Sequence, residues 1–350
     1  MAENYIINSC FLDTDLLERH IRRIRSFLDL YAKGCDTTNS TVVKWGRRAV
    51  NEGWWWYGCE GKQGKELKAC IILRQQEIIT LFKSIKRDGY NGSIISIYFN
   101  KHTGKVNVYD GFHRLSIMNY LGIKADCNCT ISHYDPTRED MRGDFPLTDR
   151  LKELNSGEYL YEPCEDTRVS GWTVWRPDSE ARLRVVRQAA VAGSVLDVGC
   201  SCGWFSRQLA REGRKVTSLE LNKQRAAVAR YLAITQNTPI ELREVKWQAL
   251  PPDQEFDNIL MLSVLHHDFI GVGASQTLQD LAKLRGRCKR LIIEVPLSVK
   301  SVVWLKTEQE HPWNFTLDEL SSLLTTATGM KVQNITYVHP TRPIIVLEPH

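Results

Sequence analysis

The spacing of apolar positions divides the chain into segments of different period. Near the start, Leu16, Leu17, Ile21, Ile24, Phe27, Leu28 and Leu30 recur every three or four residues, which predicts an amphipathic helix. Asp13, Thr14 or Asp15 can cap its start and Gly34 can stop it. The polar stretch CDTTNST leads to VVKWGRRAV and to the aromatic run Trp54-Trp55-Trp56-Tyr57; residues 60–68 read as a loop. CIILRQQEIITLFKSIKRDGY, from residue 70, predicts a strand followed by a helix ending at Gly89. IISIYFN and KVNVYD predict two strands around the turn KHTG, GFHRLSIMNYLG a helix, and ADCNCTISHY another strand. Residues 135–160 are polar and turn-rich and read as a connection.

After that connection the pattern alternates. SVLDVG, KVTSLEL, IELREVK, FDNILMLSV and RLIIEVP predict strands, separated by the helical stretches WFSRQLAREG, NKQRAAVARYLAITQ and ASQTLQDLAKLRG. TLDELSSLLTTATG predicts a last helix, and KVQNITYV with PIIVLE a final antiparallel pair. Alternating strands and helices imply a parallel sheet covered by helices.

Composition narrows the class. The chain has 350 residues, 43% of them hydrophobic and 25% charged, which excludes disordered and collagen-like chains and suggests two compact units. No apolar run approaches the roughly 18 residues of a membrane span, so no membrane partner is expected. MAENYIINSCFLDTDLLERH lacks the basic start and apolar run of a secretory signal, so the expected compartment is the cytoplasm. There the ten cysteines are expected as reduced thiols. Cys127-x-Cys129 and Cys200-x-Cys202 lack zinc-knuckle spacing, and no metal site is expected. The net charge of +5 suits phosphate-bearing ligands but falls short of a strong nucleic-acid footprint.

The strongest chemical signal is VLDVGCSCGWFS, residues 195–206. A buried strand runs into Asp197, Gly199 and Gly203 directly before a helix, and glycine lets the backbone turn sharply and approach a ligand. About twenty residues later, Glu220 ends the next strand, where a carboxylate can accept hydrogen bonds from a ribose diol. The spacing Asp-x-Gly-x-x-x-Gly resembles the first motif of class I S-adenosylmethionine-dependent methyltransferases, and the likeness covers roughly residues 160–350. The resemblance implies a Rossmann-like, mostly parallel seven-stranded sheet with an antiparallel last strand. It implies S-adenosyl-L-methionine as cofactor, held by Asp197, Gly199, Cys200, Gly203, Trp204, Phe205, Glu220, Leu221, Gln248 and Ser263. The usual acidic residue beside the position of Gln248 is replaced by the run Lys246-Trp247-Gln248.

Ser263-Val264-Leu265-His266-His267 follows the fourth strand and lacks both the Asn/Asp-Pro-Pro-Tyr/Phe run of base amine methylation and a Pro-Cys nucleophile. It looks like methyltransferases acting at oxygen or nitrogen of small molecules. The expected acceptor is therefore a small molecule, phosphorylated, glycosidic or nucleotide-related. The alternative is an RNA or DNA methyltransferase. Methyl transfer is an in-line displacement, so positioning supplies much of the catalysis. Where the acceptor must lose a proton, His266, His267 and Glu294 are the candidate catalytic residues. Trp172, Trp175 and Arg176 could cover the cofactor or pack on the sheet, and Lys300, Trp304, Lys306 and His311 lie in the insertion where such folds select substrates.

In the first half, Asp110-Gly111-Phe112-His113-Arg114 stands at a strand-to-helix junction. A helix N-terminus favours an anion and Arg114 adds a bidentate donor, which makes these five residues a candidate phosphate site. With the preceding elements, the run resembles the ParB/sulfiredoxin fold over about 68–134. In that superfamily the motif holds nucleotide phosphates, so the resemblance implies ATP or CTP. Phe112 stands where sulfiredoxin has its reactive cysteine, which argues against that activity. Glu77 and Asp110 are candidate acids for a kinase-like reaction. Three readings stand open: a nucleotide-binding or kinase-like domain, a module presenting substrate, and a nucleic-acid contact. The expected organisation is an N-terminal helical and aromatic segment (1–67), an α+β ParB/sulfiredoxin-like domain (68–134), a linker (135–160) and an α/β methyltransferase domain (161–350).

Overall fold

The computed structural model describes residues 4–12, 15–53, 56–132, 144–298 and 314–350. Trp54, Trp55, Lys300, Trp304, Lys306 and His311 lie outside the described residues. The chain separates into two units, residues 1–101 with 105–145, and residues 146–350 with 102–104.

In the first unit, β1 (Asn4–Asn8) precedes α1 (Asp15–Ala32), α2 (Thr41–Asn51) and α3 (Gly64–Asp88). Then follow β2 (Ile95–Phe99), β3 (Val106–Asp110), α4 (Phe112–Tyr120) and β4 (Asp126–Ile131). The four strands form one mixed sheet in the order β1-β4-β2-β3. β4 pairs antiparallel with β1 and parallel with β2, and β2 pairs antiparallel with β3. The expected strand at residue 70 and the expected loop at 60–68 are corrected: α3 runs unbroken from Gly64 and ends at Gly89, whose φ is +76°. An apolar run such as Cys70-Ile71-Ile72-Leu73 does not reveal its own period. In the structure Cys70, Ile71, Gln75, Ile78, Phe82 and Ile85 are buried at helical spacing, while Ile72 and Leu73 are exposed. Cys59 and Cys70 form a disulfide, a correction to the expectation of ten reduced thiols.

The second unit opens with α5 (Leu147–Asn155), β5 (Tyr159–Leu160), β6 (Thr173–Val174) and α6 (Ser179–Ala189). Thus a helix and a short strand occupy much of the stretch read as linker. The alternating region follows: β7 (Val195–Val198), α7 (Trp204–Arg211), β8 (Val216–Leu219), α8 (Lys223–Thr235) and β9 (Ile240–Arg243). Next come β10 (Phe256–Leu262), α9 (Leu265–Val272), α10 (Ala274–Ala282) and β11 (Cys288–Glu294). α11 (Leu317–Thr328), β12 (Lys331–His339) and β13 (Arg342–Glu348) complete it.

Seven strands make one sheet in the order β12-β13-β11-β10-β7-β8-β9. β7 to β11 are mutually parallel, and β13 is antiparallel to both of its neighbours, as the sequence predicts. Successive strand residues point to opposite faces. Leu196, Val198, Ile259, Met261, Leu291 and Ile293 therefore pack in one core with α9, α10 and α11. Val195, Leu260, Leu262 and Ile292 pack in the other core with α6 and α7. The strand order reverses between β7 and β10, which opens a crevice at their carboxyl ends.

Candidate functional site

The crevice is built first by the turn after β7. Asp197 is buried on the α7 face and accepts a 2.5 Å hydrogen bond from Ser206 Oγ; Ser218 Oγ in turn donates to Ser206 Oγ at 2.8 Å. Burial pushes the Asp197 carboxyl up to about 6, although the Ser206 hydrogen bond works the other way. Gly199 sits at φ +67°, and a Cβ there would stand 2.6 Å from Val264 Cγ2. Gly203, at φ +75°, caps α7. Ser201 between them holds φ +54°, a conformation costly for a residue with a side chain.

The turn is braced on the neighbouring strand. Glu220, just past β8, accepts from Ser201 N on one carboxylate oxygen and from Asn222 N on the other, both at 2.8 Å. Each carboxylate oxygen keeps a second acceptor direction, enough for two hydroxyls. Beside it Leu221 is 55% exposed, an apolar surface at the crevice lip. Gln248 stands half-buried in the 3-10 turn Trp247–Ala249, whose Trp247 Nε1 donates to Asp268 at 2.9 Å. Trp204 and Phe205, read as cofactor contacts, are 1% and 3% exposed and pack edge-to-face in the core beneath the turn. They support the turn from below, because the first turn of an amphipathic α7 must bury these rings. Cys200 is likewise buried, its thiol raised well above the usual value by burial.

Under the crevice lies a buried charge network. Glu294 is fully buried at the end of β11 and accepts from Arg176 Nη2 at 2.8 Å, Arg182 Nη2 at 2.5 Å and Ser263 Oγ at 2.7 Å. Arg176 also makes a bidentate pair with Asp178, and both Arg176 and Arg342 donate to Ser263 Oγ at 3.2 Å. Burial would raise the Glu294 carboxyl, but Arg182 and Arg176 more than offset it and hold it below the usual value. Glu294, a candidate base by sequence, is thus an ionised carboxylate held by three donors and shut off from solvent. Its geometry is that of a positioning group. Ser263, at φ +59°, spends its hydroxyl proton on Glu294.

Residues 195–291 match a protein-family model described as "Methyltransferase domain". That stretch, from β7 into β11, is thus similar to methyltransferase domains. A ubiquinone biosynthesis O-methyltransferase of Nitrosococcus oceani is 36% identical over 90 residues, which cover 25% of this chain and 38% of that protein. The O-antigen chain terminator bifunctional methyltransferase/kinase WbdD of Escherichia coli is 27% identical over 125 residues, 34% of this chain and 17% of that one. The matched stretches thus span well under two thirds of these relatives. A crystal structure of WbdD aligns with 58% of this chain and 47% of its own, at 22% identity and a TM-score of 0.46.

Within the second unit the two candidate histidines differ. His266, in the first turn of α9, is 3% exposed, and burial together with His267 and Arg342 lowers its imidazole to about 3. His267 is exposed, and its imidazole is also lowered, by desolvation and by Arg225 and Arg342 against the pull of Asp268. The rings lie 4.2 Å apart. A group that protonates only near pH 3 is a poor base at neutrality, which leaves His267 as the more suitable of the two. Sequence reasoning missed Arg182, Arg342 and Glu162, the last a buried carboxyl raised to about 7 by burial beside Arg182. For Arg182 a signal existed: it shares the buried stripe of α6 with Ser179, Leu183 and Val186, where the period calls for an apolar residue.

In the N-terminal unit the side chains of the candidate phosphate run diverge. Gly111, at φ +109°, caps α4, and a Cβ would meet Ile95 Cδ1 at 2.5 Å. Phe112 stacks on His20 at 4.7 Å, and His113 lies 4.7 Å from Tyr57. Arg114 donates to Ile94 O at 2.7 Å and Ser93 Oγ at 3.0 Å, and pairs with Asp110 at 3.3 Å. The cation expected to hold phosphate is therefore spent on tying α4 to the segment before β2. Among the described residues, no group of three or more His, Cys, Asp or Glu could hold a metal ion.

Proposed function

We propose that the C-terminal unit transfers a methyl group from S-adenosylmethionine to an oxygen or nitrogen of a small-molecule acceptor. The observation that carries this reading is the strained glycine turn 199–203, fastened by Ser201 N to Glu220 at the point where the strand order reverses. The residues fit the cofactor: a two-oxygen acceptor for a ribose diol, an exposed Leu221 for a flat apolar base, and a turn with glycine at both ends against α7. When bound, S-adenosylmethionine supplies an activated methyl on a sulfonium centre. Glu220 would hold the diol, and the turn would hold the methionine end.

Asp197 acts through Ser206, fixing the start of α7 against β7. Ser263, locked by Glu294 and Arg176, fixes the crevice floor at the end of β10. His267, neutral and exposed, accepts the acceptor's proton where the reaction releases one. Each of these groups is preset before substrate arrives, and positioning of that kind accounts for much of the rate of an in-line displacement.

The test uses the full chain with S-adenosylmethionine carrying a labelled methyl group and an extract of cells that make the protein. The reading expects label to enter the low-molecular-mass fraction and to disappear with Gly199→Val. Label confined to RNA or DNA would favour the nucleic-acid reading instead, and none in any fraction would count against methyl transfer.

A further inference from the structure

The N-terminal unit holds a cavity of about 280 Å³ lined by Tyr57, Arg74, Glu77, Ile78, Leu81 and His113. Its size lies just below that of most small-molecule sites, roughly 300–1,000 Å³, and leaves room for one ring or a fused pair. One wall is a single stripe of α3: Arg74, Glu77, Ile78 and Leu81 recur at helical spacing. His113, from the first turn of α4, and Tyr57 close the space.

Tyr57 is held there at a cost. Its φ is +50°, a region that bulky residues avoid, and such strain persists only when the surroundings impose it. Three fastenings impose it here. The Glu60 carboxylate accepts from Trp56 N and from Gly58 N, and the Cys59–Cys70 disulfide ties the loop to α3. The Trp56 ring occupies the place a Cβ on Gly46 would take, so the buried indole keys into α2.

The polar atoms of the cavity are specific. Arg74 Nη1 donates to both carboxylate oxygens of Glu77, at 2.8 and 2.6 Å, so the two charges cancel. Arg74 Nε and His113 Nε2 are buried without a hydrogen-bond partner, and a buried polar atom left so costs about 1–3 kcal/mol. Burial lowers the His113 imidazole to about 4 even with Asp110 and Glu77 nearby, so the ring is neutral at physiological pH. With Arg114 engaged elsewhere and two carboxylates close to His113, nothing in the lining favours an anion.

We propose that this cavity is a second ligand site, separate from the methyl-transfer crevice. It takes a small uncharged ring-bearing molecule that packs against Tyr57, Ile78 and Leu81 and hydrogen-bonds through its polar edge to His113 Nε2 and Arg74 Nε. The site reads neutral rings, not phosphates.

Ligand-observed NMR on the full chain tests this with indole and catechol as ring probes and pyrophosphate as the anion probe. At least one ring probe is expected to bind saturably, unaffected by excess pyrophosphate. Leu81→Trp, which fills the cavity from its half-buried wall, is expected to weaken that probe at least about tenfold. S-Adenosylhomocysteine affinity should be unchanged in this variant, and its near-UV circular dichroism should keep the parent's aromatic signal, which reports that the first unit remains folded. His113→Phe, which keeps the ring and removes its nitrogens, should weaken the same probe. The proposal is overturned if neither ring probe binds, if both variants bind the ring probe as the parent does, or if pyrophosphate displaces it.

Discussion

At the scale of single residues, two carboxylates in the second unit carry opposite electrostatic signatures, and each gives a test. Asp197 has a folded-state carboxyl near 6, above its ordinary value, because burial, with the Glu220 charge nearby, outweighs the Ser206 hydrogen bond and the pull of Arg182. Between about pH 4 and pH 6 the folded state then keeps a proton that the unfolded chain has lost. Stability must fall as pH rises through that window, by on the order of 3 kcal/mol. Asp197→Asn removes this dependence. Denaturation at pH 4.5, 6 and 7.5 should show the variant gaining on the parent as pH rises, while S-adenosylhomocysteine binding weakens. A stability difference that is flat across pH would contradict the assignment.

Glu294 behaves in the reverse way, its carboxyl depressed by Arg182 and Arg176. Removing one partner of such a buried set leaves uncompensated charge and costs about 3–5 kcal/mol. Glu294→Ala should therefore lower the melting temperature sharply along with activity. Lost turnover at an unchanged melting temperature would instead make Glu294 a catalytic residue.

Among elements, legibility in the sequence followed how local the determinants are. β7 and β8 are buried on every residue, and VLDV and VTSL show as short Val- and Leu-rich runs between turn signals even though Asp197, Thr217 and Ser218 interrupt them. The glycines at 199 and 203 are equally plain, because a backbone at positive φ selects its residue type locally. α3 was obscured by the apolar run at its start, where a strand and a buried helix look alike. The charge network was invisible for a different reason. Its hydrogen bonds join residues 31 to 118 positions apart, and no local pattern encodes which arginine meets which carboxylate. The run 110–114 shows the converse: a suggestive local motif whose side chains, once folded, point to different partners. One element-scale packing is directly testable. Gly46→Ala puts a methyl into the Trp56 ring, and overpacking of this kind costs about 1–3 kcal/mol. Near-UV circular dichroism should lose aromatic signal, and the melting temperature should drop; no change in either would show that the Trp56 anchor is not seated in α2.

For the molecule as a whole, the two units present different chemistry. The second carries the reversed strand order, the braced turn and a family match over 195–291. The first carries a small cavity behind a strained tyrosine, its Arg74 and Glu77 charges paired with each other. The central claim rests on the second. Calorimetric titration of S-adenosylhomocysteine into the full chain and into Gly199→Val tests it most directly, since a side chain at φ +67° and 2.6 Å from Val264 must distort the turn. Saturable binding by the parent, lost in a variant whose circular dichroism shows it folded, is the predicted result. Binding of equal affinity in the folded variant, or none in the parent, would contradict it.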